Sequence, residues 1–169
     1  MNIDLVAKLK TKDEFDKVYK TGDELSLYKG KNLLYYSLTN KNLDSRYSIS
    51  IFLIDKGIDI SILNAENETT LHVLLAQVKH NLNQTVILCQ KLIEMGVDIN
   101  ILDSQNRLAL QYIVNMKHTD AELKPLYDLW FSQANIDLAT KNKMGYSPLD
   151  LAKKLPFRTE LVERMEAYV

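Results

Sequence analysis

Gly96-Val97-Asp98-Ile99-Asn100 is the stretch that decides the fold, because the chain contains it four times in altered form. Gly22-Asp23-Glu24-Leu25-Ser26, Gly57-Ile58-Asp59-Ile60-Ser61 and Asn135-Ile136-Asp137-Leu138-Ala139 rhyme with it. Each has Gly or Asn, any residue, an acid, an aliphatic residue, then a small polar residue or Ala. The first positions fall at 22, 57, 96 and 135, spacings of 35, 39 and 39 residues. Gly and Asn tolerate the left-handed conformation that ends a helix, so each segment predicts a helix stop followed by extended chain. An apolar amphipathic stretch precedes each of the last three stops: 49–56, 85–95 and 121–133. In the second of these Val86, Cys89, Leu92 and Ile93 recur at helical spacing and make one buried face.

A second rhyme follows each stop. The segment from Asn64 through Thr69-Thr70-Leu71-His72 to Leu75 aligns with that from Asp103 through Leu108-Ala109-Leu110-Gln111 to Val114. Both align with Asn142 through Ser147-Pro148-Leu149-Asp150 to Ala152, and a degenerate first copy runs from Tyr28 through Gly30 to Leu38. Leu34, Leu71, Leu110 and Leu149 fall in register, 37, 39 and 39 residues apart.

These two motifs together resemble the ankyrin-repeat family, in which a turn leads into a Thr-Pro-Leu-His-type helix start and the second helix ends in Gly-x-Asp-aliphatic-Asn. Thr69-Thr70-Leu71-His72 and Ser147-Pro148-Leu149-Asp150 look like the first motif, Gly96 to Asn100 like the second, and the likeness spans roughly residues 22 to 155. It implies an all-α solenoid of stacked helix-turn-helix units with hairpin-like turns, in one domain over 1–169. Residues 1–26 would be an N-terminal half-repeat cap, 27–63, 64–102 and 103–141 the middle repeats, and 142–169 a C-terminal capping repeat. The chain departs from the family in its period, longer than the usual ~33 residues, which places extra length near 79–84 and 116–122. It departs also at Leu74, Leu75, Ile113 and Val114, where small residues would let helices approach.

The ends read as caps, because a terminal repeat has one neighbour and needs a polar outer face. Thr11 and Glu14 form a capping box opening a helix through Tyr19, with Phe15, Val18 and Tyr19 turned inward. Thr159 to Tyr168 carries Leu161, Val162 and Met165 amid charge, and Pro156 separates it from the preceding helix. On this reading the repeat set is complete.

Composition narrows the function. Lys plus Arg number 21 against 22 Asp plus Glu, a formal net charge of -1, so the basic surplus of a general nucleic-acid binder is missing. The apolar runs Ile51 to Ile54 and Val86 to Cys89 are too short to cross a bilayer, and charge interrupts the first 20 residues where a signal peptide would need an apolar core. Cys89 is alone, which forbids an intrachain disulfide and suits a buried small hydrophobe. The expectation is a cytoplasmic monomer with no nucleic-acid or membrane partner.

His72 invites a catalytic role, but the resemblance gives it the structural task of bonding the turn to the helix start. His80 and His118 have no ligands at metal spacing beside them. Asp59, Asp98 and Asp137 read as turn residues that bond nearby amides, and Trp130 as core. No catalytic, cofactor or metal site is expected, and the chain is not expected to be an enzyme. The resemblance instead implies a partner-binding concave face of turn tips and first-helix positions. Those are Tyr28, Lys29 and Lys31, then Glu66, Glu68 and Gln77, then Ser104, Gln105, Arg107 and Asn115, then Lys143, Met144 and Tyr146. Ala76 and Met116 hold further helix positions, and Tyr28 and Tyr146 are the anchor candidates. The implied function is non-catalytic binding of a folded protein, as in bacterial immunity proteins that neutralise a toxin of their own cell. A scaffold or regulatory subunit of an enzyme, and a secreted effector acting on host proteins, are the alternatives.

Overall fold

The Gly/Asn stops, the polar turn tips and the capping residues divide the chain into short helices, and a computed structural model describes residues 1–168. Among them the regular elements are ten α-helices and one 3-10 turn, so the fold is all-α. The chain divides into two compact units, Met1–Val97 and Asp98–Val169, with the boundary inside the third Gly-x-acid segment.

The first unit holds three helix pairs: α1 (Ile3–Leu9) with α2 (Lys12–Val18), α3 (Leu33–Ser37) with α4 (Leu43–Asp55), and α5 (Thr70–Leu75) with α6 (Leu82–Glu94). The first helices lie in a row, α1 on α3 and α3 on α5, and the second helices in another, α2 on α4 and α4 on α6. Phe15, Leu33, Leu34, Leu38, Ile49, Leu53, Leu71, Leu74, Leu88 and Leu92 fill the space between the rows. The second unit repeats the plan with α7 (Ala109–Val114), α8 (Asp120–Phe131), α9 (Pro148–Lys154) and α10 (Thr159–Tyr168), α7 lying on α9 and α8 on α10. Its core includes Leu110, Ile113, Leu126, Tyr127, Leu161, Met165 and the fully buried Trp130. In the pairs α3–α4 and α5–α6 the second helix is about twice the length of the first, 13 residues against 5 or 6.

Each helix stop is made as its residues dictate. Gly57, Gly96 and Asn135 adopt φ of 78°, 102° and 59°, the left-handed conformation of a helix C-terminus. The acid two residues on then folds back on the chain. Asp59 Oδ1 accepts the Ser61 amide (2.9 Å), Asp98 Oδ1 that of Asn100 (2.8 Å), and Asp137 Oδ1 those of Ala139 and Thr140 (3.0 and 2.9 Å). At helix starts, capping boxes join Thr11 to Glu14, Thr69 to His72, Thr119 to Glu122 and Ser147 to Asp150. His72 Nδ1 lies 2.9 Å from Thr69 Oγ1 and accepts the Thr69 amide at 3.2 Å, which is the structural role expected of it.

Buried polar side chains tie the loops between paired helices to their neighbours. Asn40 Nδ2 donates to the carbonyls of Ala7 (3.0 Å) and Lys10 (2.9 Å). Arg46 donates to Asn40 O (2.9 Å) and Lys79 O (2.7 Å). In the second unit Arg158, fully buried, donates to the carbonyls of Val114 and His118 (both 2.8 Å) and of Met116, and to Asp120 Oδ1 at 3.3 Å. Carbonyls left unpaired where α7 ends are thereby satisfied by a guanidinium some forty residues away in sequence.

The N-terminal segment holds two helices, and α1 packs Val6 and Ala7 against α3 although charge at Asp4 and Lys8 hides its periodicity. Three expectations need correction. The Gly22 segment continues into a 3-10 turn at Asp23–Leu25, which the other copies do not form. Val18 is exposed: α2 ends there, and the inward face is carried by Phe15 and Tyr19, which pack on Phe52 with ring centroids 6.0 and 4.9 Å away. Met116 is buried, and the Arg158 guanidinium bonds its backbone carbonyl.

Candidate functional site

The turn tips share one backbone design. In the tips of residues 64–68, 103–107 and 142–146 the first residue's amide donates to the fifth residue's carbonyl, at 3.3, 3.0 and 2.9 Å. The first side chain, Asn64, Asp103 or Asn142, accepts the amides two and four residues on. The fourth residue, Asn67, Asn106 or Gly145, takes positive φ. Tyr28 and Lys31 exchange both backbone hydrogen bonds around Lys29 and Gly30, the two-residue hairpin turn with positive φ at both centres. The backbone frame rests on the first and fourth residues, and the fifth residue's side chain, Glu68 or Arg107, bonds the first residue's side chain in two of the tips.

Every tip residue expected at a surface is at least partly exposed. In the first unit Lys29 and Glu66 are open, and Tyr28, Lys31, Glu68 and Gln77 are half-buried. Lys31 Nζ lies 4.9 Å over the Tyr36 ring, Glu68 accepts from Asn64 Nδ2 at 2.7 Å, and Gln77 Nε2 donates to Val73 O at 2.8 Å. Burial, and secondarily the Asp23 charge, pushes the Tyr28 phenol up.

The second unit does more than display its tips. The Lys143 amide donates to Gln105 O at 3.0 Å, which locks the two tips together. Between them and the end of α7 opens a cleft of about 220 Å³ lined by Arg107, Gln111, Tyr112, Asn115, Asn142, Met144, Tyr146 and Leu151. Arg107, Asn115, Met144 and Tyr146, predicted separately from the repeat register, meet here; Ser104, Gln105 and Lys143 stay on the rim. Sequence reasoning missed Gln111, Tyr112, Asn142 and Leu151. Gln111 had one signal, since it aligns with His72.

The cleft's electrostatics are set by pairs. Arg107 Nε donates to Asp103 Oδ2 at 2.9 Å, Tyr112 Oη donates to the same oxygen at 2.9 Å, and the guanidinium lies 5.0 Å from the Tyr112 ring centroid. Burial pushes the Asp103 carboxyl up, but the Arg107 and Gln105 amides, the Tyr112 hydroxyl and the Arg107 side chain outweigh it and hold the group below the usual carboxylate range. Lys154 Nζ donates to Tyr146 Oη at 2.8 Å and stands 4.0 Å from that ring's centroid. Met144 is 80% exposed, an apolar side chain held out in water at the cleft mouth.

Elsewhere the chemistry is structural. Burial pushes the Cys89 thiol far up, which keeps it protonated and inert. Among the described residues no group of three or more His, Cys, Asp or Glu could hold a metal ion, and no helix is long and apolar enough to cross a membrane.

No protein-family model matches the chain, and no curated protein matches it. Among solved structures 277 chains match. One is a functionally unknown protein from Leptotrichia buccalis C-1013-b, 31% identical, with a TM-score of 0.86 over 99% of this chain and 92% of that one. This chain belongs to the same family as the Leptotrichia buccalis protein.

Proposed function

We propose that this chain is a non-catalytic, ankyrin-type binding protein that grips a folded protein partner with its turn tips and the exposed ends of its first helices. One observation carries the reading: residues from two tips and from α7, some forty positions apart, converge on a single cleft while the tip backbones bond themselves. Exposed Met144 and half-buried Tyr146 and Arg107 are residue types enriched at protein interfaces. Neutralising a toxin of the same cell is the narrower form of this role that we propose to test first, ahead of a scaffold subunit or a host-directed effector.

The test is a pull-down with the purified protein from lysate of its own organism, with partner identification by mass spectrometry and titration by calorimetry. One stoichiometric partner is expected, with affinity reduced at least tenfold when Arg107 and Tyr146 are both changed to alanine. Undiminished binding by that double variant would refute the assignment of the tips. A partner encoded beside this chain, and lethal without it, would identify the immunity role.

A further inference from the structure

A terminal helix pair has one neighbour and keeps its open face polar. The last pair obeys this: Lys153 and Lys154 of α9 and Glu163 and Glu166 of α10 stand exposed. The first helix does not. α1 lies on α3 and α2 and turns Asp4, Val6 and Ala7 inward, while its open arc holds Met1, Asn2, Leu5, Lys8 and Leu9. Met1 is 73% exposed, Leu5 40% and Leu9 58%. Successive members are four residues apart, so the three side chains form one apolar stripe along the helix. Leu25 and Leu27 are exposed as well, and Leu27 adjoins Tyr28, which lies within electrostatic reach of Asp4. They bring further apolar surface to the start of α1.

The stripe is its own complement. It reads the same in both directions about Leu5, so a second α1 crossing antiparallel there sets Leu5 against Leu5 and Met1 against Leu9 on either side, as a two-fold axis demands. The polar positions match too. The same axis sets Lys8 opposite Asn2, so Lys8 of one copy does not meet Lys8 of the other. Asn2 opens α1 without making a side-chain cap bond, and Lys8 is exposed and, among the described residues, in no ion pair. An amide oxygen and an ammonium are thus left for each other. With Leu25 and Leu27 the stripe offers roughly 300 Å² of apolar surface per copy. Interfaces at the small, weak end bury ~600 Å² per partner, somewhat over half of it apolar, which this surface supplies. In place of the monomer expected from sequence, we infer that the chain forms a weak two-fold dimer through α1, with Leu5 on the axis and Lys8 of each copy donating to Asn2 Oδ1 of the other. The inference goes beyond the binding-protein reading and does not depend on it, since α1 carries none of the residues given to the partner. Its consequence for that reading is bivalency, because two linked copies hold a paired target by avidity.

Sedimentation equilibrium of the untagged whole chain tests it. The mean mass should climb from 19.5 kDa toward twice that value as concentration rises from about 5 μM to about 1 mM. Leu5→Asp sets two carboxylates face to face on the axis and should hold the mass at 19.5 kDa throughout, with helix content checked by circular dichroism. Asn2→Asp should act the other way. It gives each Lys8 a carboxylate across the axis and should tighten the dimer about fivefold at low salt, a gain that a misfolded chain cannot produce. Adding Lys8→Asp to that variant should reverse the gain, since like charges then meet. A mass of 19.5 kDa at every concentration, a dimer that persists in Leu5→Asp, or an Asn2→Asp variant no tighter than the unaltered chain overturns the inference.

Discussion

Replacing Arg158 by Met should cost the second unit about 3–5 kcal/mol, a large share of the ~5–15 kcal/mol by which domains are stable. The residue is fully buried, so solvent does not screen its interactions. Its guanidinium serves the carbonyls of Val114, Met116 and His118 and the carboxylate of Asp120. Met fills much of the stem's volume but donates nothing, and each carbonyl stranded in the interior costs ~1–3 kcal/mol. The sum is not fully realised, because Asp120 keeps the Tyr127 hydroxyl (2.7 Å) and the Glu160 amide (3.0 Å), and local relaxation admits water. Urea unfolding followed by the fluorescence of Trp130, the sole tryptophan and fully buried in the same unit, reads the loss directly. Arg164→Met supplies the contrast: its pairs with Asp128 and Glu160 are partly exposed, and its loss should be under ~1 kcal/mol. A loss below ~1 kcal/mol for Arg158→Met at unchanged urea dependence would refute the claim that these loop carbonyls depend on it.

Asp103 predicts a pH effect. Its pKa is lower folded than unfolded, so its contribution is complete above the ordinary value of 3.8 and disappears as pH falls through the folded value. Asp103→Asn should keep the turn but flatten the decline of second-unit stability below pH 3.8, and an unchanged slope would show that other groups set it. Gly145→Ala should cost about 1 kcal/mol by urea titration, for φ is +86° and a Cβ would meet nothing within 4 Å, leaving backbone strain as the cause; no loss would mean the tip relaxes. Cys89, wholly buried with its thiol pushed up, should react with a disulfide reagent only as fast as the first unit opens, so a fast native reaction would contradict its burial.

What the amino-acid order determined by itself is the set of features closed within about five residues. The left-handed stops at Gly57, Gly96 and Asn135, the aspartates that bond the amides just beyond them, and the box at Thr11 were all legible, because donor and acceptor lie a few bonds apart. The tip residues came from the resemblance to the ankyrin family, carried onto positions in the repeat register. Helix α1 was not, since seven residues bearing Asp4 and Lys8 show no clear period and gain their stability from packing on α3. Nor were Arg158 and the cleft. Arg158 reads as one more charge until docking of the second pair onto the first brings three stranded carbonyls around it. Gln111 reads as a weak copy of His72 until Tyr146 approaches and takes its amide. Interactions between residues some forty positions apart depend on how one helix pair seats on the next, and that seating is decided by the shape of the whole core and not by any local run of residues.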